Sequence, residues 1–371
     1  MSRVLVTGGA GFIGSHTADK LIESGYKVRI LDNLQKPVHL KGMPGYLNPK
    51  AEFILGDVRD KTTLENALTD IDYVFHLAAY QDYLPDFSTF FHVNAVSTAL
   101  IYEIAVEKKL PIKKIIVASS QFVQGEGLYK NKSGKLISPD LRPVAKLEIG
   151  DWEWKDENGE LLELQWTPET HANPPNAYAL SKYSQELTAI SFGKRYEIPS
   201  VALRYSIVQG SRQSFYNTYS GACRIFNLHY YFDKAPILYE DGLQKRDFVN
   251  IHDVVDANLL VLENSNADYN VFCVGGGKAY TIKEFERIVA KVHGKEYIDP
   301  KIPGEYRFGD TRHTLSDNSK LRSLGWSPQR TAEDSVAEYL DYLRQQADID
   351  DILDYAEKTM KQLNVVRKVN R

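Results

Sequence analysis

The chain has 371 residues, which at roughly 150 residues per domain suggests two domains, or one large α/β unit with an appended lobe. Hydrophobic residues are 43% and charged residues 25% of the total, close to the globular average, so disordered, collagen-like and coiled-coil classes fit poorly. Lys and Arg number 45 against 49 Asp and Glu, a formal charge of −4 with no basic stripe, which argues against a nucleic-acid partner.

Strand and helix patterns alternate through the first third. Residues 4–6, 28–31, 53–55, 74–77 and 115–118 are short, continuous runs rich in Val, Ile and Leu, as expected of parallel strands buried on both faces. The amphipathic stretches 15–23, 62–68 and 94–107 between them predict helices. A further strand at 200–204 follows a helix predicted over 177–195. The expected fold class is therefore α/β, a Rossmann-type doubly wound parallel sheet, with a smaller mixed α/β substrate lobe.

The insertion from Gly127 to Pro174 is too long for a simple connection. It reads as a flap, with residues 146–154 and 160–166 expected to pair as a hairpin around Asp156 to Gly159. The pattern changes at residue 211, where aromatic and Gly-rich loops mix with short helices. Residues 248–254 and 269–274 are expected to return to the first sheet. The domain reading is a nucleotide-binding unit over 1–210, plus returning segments near 248–278, with the flap at 127–173. A lobe covers 211–247 and 279–345, and 346–371 is a helical tail whose basic end, 364–371, reads as solvated.

Two cysteines, Cys223 and Cys273, make no disulfide framework and suit a reducing cytosol. No run near the roughly 20 apolar residues of a membrane span is expected, and a strand begins almost at the N-terminus, which leaves no room for a signal peptide. A cytoplasmic protein with no membrane partner is the expectation. The nine histidines show no ligand spacing, so no metal is expected.

Gly8, Gly11 and Gly14 stand between the first strand and the first helix. The first permits a tight turn, the second a close approach to a pyrophosphate, and the third close packing of helix on sheet. The phosphates would meet the free N–H groups of the helix start, at Phe12 and Ile13. Asp32 closes the second strand, where a carboxylate accepts hydrogen bonds from ribose hydroxyls and repels a 2′-phosphate, favouring NAD over NADP. Asn33 follows it, Asp57 and Val58 would border an adenine, and Leu77, Ala78 and Ala79 supply small or apolar side chains where backbone approaches the cofactor.

Tyr and Lys four residues apart share a helix face, and an ammonium so placed lowers a phenol pKa from about 10 toward neutrality. Four such pairs occur, Tyr46/Lys50, Tyr178/Lys182, Tyr230/Lys234 and Tyr297/Lys301. Prolines interrupt the first and last, and Tyr230/Lys234 reads as the end of an aromatic core helix. Tyr178/Lys182 lies in Tyr-Ala-Leu-Ser-Lys, among good helix formers. Ser119 and Ser120 end the fifth strand, at the carboxyl edge where open parallel sheets bind ligands.

With these residues the chain resembles the extended short-chain dehydrogenase/reductase family, in its branch of nucleotide-sugar epimerases and dehydratases. The resemblance rests on T-G-G-A-G-F-I-G, H-L-A-A, S-S-Q-F-V-Q-G, Y-A-L-S-K, L-R-Y-S-I-V-Q-G, R-D-F-V-N-I-H-D and L-G-W-S-P. It implies a catalytic trio of Ser120, Tyr178 and Lys182, NAD as cofactor with Tyr178 and Lys182 beside it, and Arg246 and Arg307 on the diphosphate of a nucleotide-diphosphate sugar. It also implies a homodimer built on helices 94–107 and 177–195.

Dehydratases of this branch place Asp-Glu directly after the catalytic hydroxyl residue, because eliminating water needs a further acid and base. Here those positions are Gln121 and Phe122, which disfavours dehydration and leaves Gln121 as a substrate contact. The insertion is similar to that of dTDP-L-rhamnose 4-epimerase-like members. The leading expectation is an NAD-dependent nucleotide-sugar 4-epimerase working through a 4-keto sugar, with a dTDP-6-deoxyhexose as the candidate substrate. A dehydrogenase or ketoreductase with the same trio, or a non-catalytic NAD-binding scaffold, are the alternatives.

Overall fold

The computed structural model describes residues 1–216 and 221–370. The chain opens with β1 (Arg3–Thr7), α1 (Phe12–Glu23), β2 (Lys27–Asp32), β3 (Glu52–Leu55), α2 (Lys61–Leu68) and β4 (Tyr73–His76). A continuous helical stretch follows, made of α3 (Phe87–Phe90), a wider π turn (Phe91–Val96) and α4 (Ser97–Glu107), and leads to β5 (Lys114–Ser120). In the insertion lie β6 (Leu128–Lys130), β7 (Leu136–Ile137), α5 (Val144–Glu148) and β8 (Glu163–Gln165). Then come α6 (Ala177–Arg195), β9 (Ser200–Tyr205), β10 (Ile207–Gln209), α7 (Ala222–Tyr231), β11 (Lys245–Asn250), α8 (Ile251–Glu263), β12 (Asn270–Val274), β13 (Ala279–Thr281) and α9 (Ile282–His293). The chain ends with β14 (Glu305–Arg307), α10 (Ser319–Arg322), α11 (Ala332–Arg344), α12 (Leu353–Gln362) and β15 (Val366–Lys368).

Seven strands form one sheet in the order β12-β9-β5-β4-β1-β2-β3, and every pairing in it is parallel. Side chains alternate between its faces. Val4 and Val6 of β1 enter one core with Ala18 and Leu21 of α1 and Val254 and Val261 of α8. Leu5 enters the other, with Leu64 of α2, Ile101 and Ile104 of α4 and Ala189 of α6. Both faces are covered, which is why the runs are continuously apolar. Strand order reverses between β1 and β4, so a crevice opens at their carboxyl ends.

The stretch Phe87–Glu107 is long and apolar enough by composition to cross a bilayer, contrary to the reading that no run approached that length; half of it is buried inside the protein, against the sheet.

A third core holds the lobe. Phe226 of α7, Phe248 of β11, Phe285 and Val289 of α9, and Val336, Tyr339 and Leu343 of α11 pack together beside a small sheet, β10-β11-β13. Residues 248–250 belong to that sheet and not to the large one, because β11 pairs with β10 and β13. Residues 251–254 are helix, since the Asn250 side chain accepts the His252 N–H at 2.8 Å and caps α8. The segment 270–274 does return, as the edge strand β12.

The insertion also differs from its expected hairpin. A tight reversal exists at 156–159, with a bridge between Lys155 and Leu161, but β8 pairs with β6, and 144–148 is helical. The C-terminal end is not simply solvated, because β15 lies antiparallel to β14, with Val366 opposite Arg307. Residue 371 and the part of the lobe at 217–220 lie outside the described residues.

Candidate active site

The glycine turn is built as a cradle. Gly8 has φ +68°, and a Cβ there would come within 2.7 Å of the Ala78 backbone. At Gly14 a Cβ would lie 2.1 Å from the Gly8 carbonyl oxygen, so helix and turn touch through backbone alone. Gly11 begins α1 without any side-chain cap, which leaves the first N–H groups, those of Phe12 and Ile13, without side-chain acceptors. Asp32, buried at the end of β2, accepts the Ala10 N–H at 3.0 Å and the Leu34 N–H at 2.9 Å. Its carboxylate is thereby aimed at the mouth of the turn. These residues fit a dinucleotide: a backbone cradle at a helix start, with an acidic acceptor one strand away.

Neighbouring residues behave unequally. Asn33 donates to Asp57 at 3.0 Å, and Arg59 grips both Asp57 oxygens at 2.9 and 2.7 Å. The Arg59 bonds hold the Asp57 carboxyl down at about 2. Val58 spends its side chain in the core beside Leu64. Leu77 is fixed by its N–H bond to the Thr7 carbonyl at 3.1 Å, and the Ala78 N–H reaches the Thr7 hydroxyl at 3.3 Å. Buried His76 bridges Thr7 and Ser97 at 2.7 and 2.8 Å, tying β1, β4 and α4 together under the crevice.

A cavity of about 850 Å³ opens from that crevice toward the lobe. Phe12, Ile13, Leu77, Ala79, Ser120 and Tyr178 line its sheet side, together with Lys182 and Gln121. The two serines at the end of β5 have separate tasks. Ser119 donates to Glu186 at 2.9 Å, and Glu186 holds Arg204 through two bonds of 2.9 and 2.7 Å. Ser120 faces the cavity, accepts the Phe122 N–H at 3.2 Å and hydrogen-bonds the Tyr178 hydroxyl.

Tyr178 is the second residue of α6, whose start is capped by Asn176 accepting the Ala179 N–H at 2.9 Å. Lys182 lies one turn on, buried. Its Nζ donates to Gln185 at 2.8 Å, and Gln185 is held by Thr98 at 3.1 Å. Burial pushes the Tyr178 phenol up to about 12 against the opposing Ser120 bond, and burial pulls Lys182 down to about 7. The expected lowering of the phenol toward neutrality by the Lys182 ammonium is opposed here by burial. Desolvation disfavours both charged forms, and the lysine points its bond at Gln185.

Arg246 and Arg307 reach the same cavity from the lobe. Arg246 donates to the Arg312 and Thr311 carbonyls at 2.9 Å each and stands 3.5 Å from Asp310. Arg307 lies with its guanidinium 4.7 Å from the Tyr239 ring centre, and among the described residues its buried Nε has no hydrogen-bond partner. Gln121 is also buried, with neither amide atom partnered among the described residues. A cavity wall carrying one cation and one amide with unspent hydrogen-bonding capacity fits a polar, anionic ligand.

The NAD dependent epimerase/dehydratase family model matches residues 4–145 and 157–275. The chain belongs to this family. Among its relatives, the dTDP-L-rhamnose 4-epimerase of Burkholderia thailandensis is 32% identical over 353 residues, 93% of this chain and 96% of that one. The UDP-glucose 4-epimerase of Thermotoga maritima, solved with UDP-glucose, superposes with a TM-score of 0.76 at 29% identity, covering 93% of this chain and 100% of that one. The Thermus thermophilus UDP-glucose 4-epimerase, solved with NAD, gives 0.74 at 26% identity, over 93% and 100%.

As a member of this family the chain has the frame of an NAD-dependent nucleotide-sugar epimerase. Sequence reasoning missed the residues that bond to α6 on either side of Lys182 from another element. The π turn sets Asn94 against Ser181 at 2.9 Å, and Thr98 reaches Gln185 from α4. A polar residue inside an apolar helix, such as Asn94, is the one signal that could have flagged them.

Proposed function

We propose that the protein is an NAD-dependent nucleotide-sugar 4-epimerase that works through a transient 4-keto sugar. The observation that carries this reading is the convergence of Ser120, Tyr178 and Lys182 on one cavity at the carboxyl edge of the sheet, beside a glycine cradle closed by Asp32. Gly8, Gly11, Gly14 and Asp32 would hold NAD, which would supply the hydride acceptor and donor. Tyr178 takes the proton of the sugar O4 and later returns it. Ser120 holds O4 by a hydrogen bond, and Lys182, steadied by Gln185, favours the phenolate whenever it carries charge.

Arg307 and Arg246 hold the diphosphate by charge-assisted bonds, so the sugar can turn while its other end stays anchored. Gln121 and Phe122 after Ser120 carry no ionisable group, which favours epimerisation over dehydration. The identity to a dTDP-L-rhamnose 4-epimerase supports a dTDP-6-deoxyhexose as substrate. A homodimer is proposed on the apolar side chains that α4 and α6 leave exposed, Val106, Leu180, Leu187 and Phe192; light scattering tests it.

The deciding experiment is Tyr178→Phe. Turnover of dTDP-L-rhamnose and UDP-glucose should be abolished with NAD still bound; a variant with full activity ends the mechanism. Net release of NADH by the wild-type enzyme would favour a dehydrogenase instead.

A further inference from the structure

The cavity continues beyond the two arginines. Its far end is walled by Ile225 and Phe226 of α7, by Ile237, and by Leu353, Glu357 and Met360 of α12. The last three belong to the C-terminal segment. Leu353, Ala356 and Met360 recur at helical spacing and are buried, so α12 lays one apolar face over the end of the cavity.

The same segment reaches the middle of the cavity by a second route. β15 pairs with β14, whose residue opposite Val366 is Arg307. The Phe308 N–H donates to the Val365 carbonyl at 2.8 Å, and Lys361 Nζ lies 3.1 Å from Glu305. Arg307 is therefore fixed by the last strand of the chain.

We infer that the C-terminal segment is part of the substrate site: α12 forms a wall of the nucleoside compartment, with Met360 and Glu357 against the nucleoside, and β15 positions Arg307 at the phosphates. This rests on the nucleotide-sugar reading. With a sugar at Tyr178 and a diphosphate at the arginines, the nucleoside falls in the compartment that α12 closes. Its chemistry suits one. Ile225, Phe226 and Met360 give an apolar bed for a planar base, and the rim is acidic, with Asp354 and Glu357. Two lysines also line this end, Lys301 and Lys234, and Lys234 is engaged with Asp351 and Asp354 at 2.7 and 3.2 Å. The carboxylates can accept ribose hydroxyls.

The test titrates dTDP and UDP separately into the full-length, NAD-loaded protein and into Met360→Trp and Met360→Ala. Filling the wall with Trp should weaken both nucleotides by about tenfold or more, and Ala by several-fold. NAD affinity should stay near wild type, and KM should rise with kcat retained, because the wall is remote from Tyr178. Should the Trp variant fail to fold, the Ala variant decides. Nucleotide affinities within twofold of wild type in every folded variant overturn the inference, as does equal weakening of NAD. A wild-type protein that binds neither dTDP nor UDP removes the nucleotide-sugar reading itself.

Discussion

Two additions to the sheet-and-lobe frame, the insertion at 127–173 and the segment at 346–370, are fastened by different physics. The insertion is riveted by buried charge. Arg142 makes bonds of 3.0 and 2.7 Å to Glu240 of the lobe. Arg312 donates to Glu240 and Asp241 at 2.8 Å each and back to Glu153 of the insertion at 3.0 Å. The segment at the C-terminus is instead held by an apolar helix face and by ion pairs such as Lys234 with Asp354, whose side chain is 88% exposed. A buried network is costly to break at one point, because the remaining charges have no water to turn to. Exposed pairs contribute little and are screened. The first region is therefore firmly fixed to the lobe, and the second, which lines the cavity, is the more weakly held.

Three measurements can break or sharpen that contrast. Removing Arg312 as Arg312→Ala should cost about 3–5 kcal/mol of stability in urea unfolding, since Glu240 is left buried with one partner fewer. A loss below about 1 kcal/mol would make the insertion no firmer than the tail.

The next effect is the share of the pH dependence that Glu126, on the insertion side, contributes. Burial lifts Glu126 to about 7, against the nearby Arg142 and the Arg312 backbone N–H. The folded protein thus holds this proton where the unfolded chain, near the ordinary carboxylate value, releases it. The stability from the neutral acid is complete below the unfolded pKa and is lost as pH rises through about 7. The slope is at most about 1.4 kcal/mol per pH unit. Glu126→Gln should abolish that slope, so the variant gains on wild type between pH 5 and about 7; parallel stability curves would contradict it.

The smallest effect is expected at the tail. Lys234→Ala should cost about 1 kcal/mol or less, shrinking further in molar salt. A salt-independent loss matching that of Arg312→Ala would erase the difference between the two regions.

What the sequence made legible was local. The glycine turn, Asp32, and Tyr178 with Lys182 each lie within one turn or one strand end, so spacing alone carries their geometry. Phe248 and Val249 read as part of the main sheet because an apolar run does not say which sheet it joins, and the Asn250 cap that ends it looks like any polar residue. Arg312, Glu240, Glu153 and Arg142 come from distant parts of the chain, and no spacing rule links them. Lys182 shows a subtler failure. The motif puts it on the Tyr178 face of α6, where it lines the cavity, yet burial lowers its proton affinity. The basic end read as solvated because three residues of strand, Val366–Lys368, leave almost no pattern.

The pairing of β15 with β14 carries a consequence for biosynthesis. The glycine turn lies between β1 and α1, whereas Arg307 acquires its neighbouring strand only once residues 366–368 have been synthesised. A polypeptide cut before residue 366 would thus keep the turn and lack the strand that lies beside Arg307.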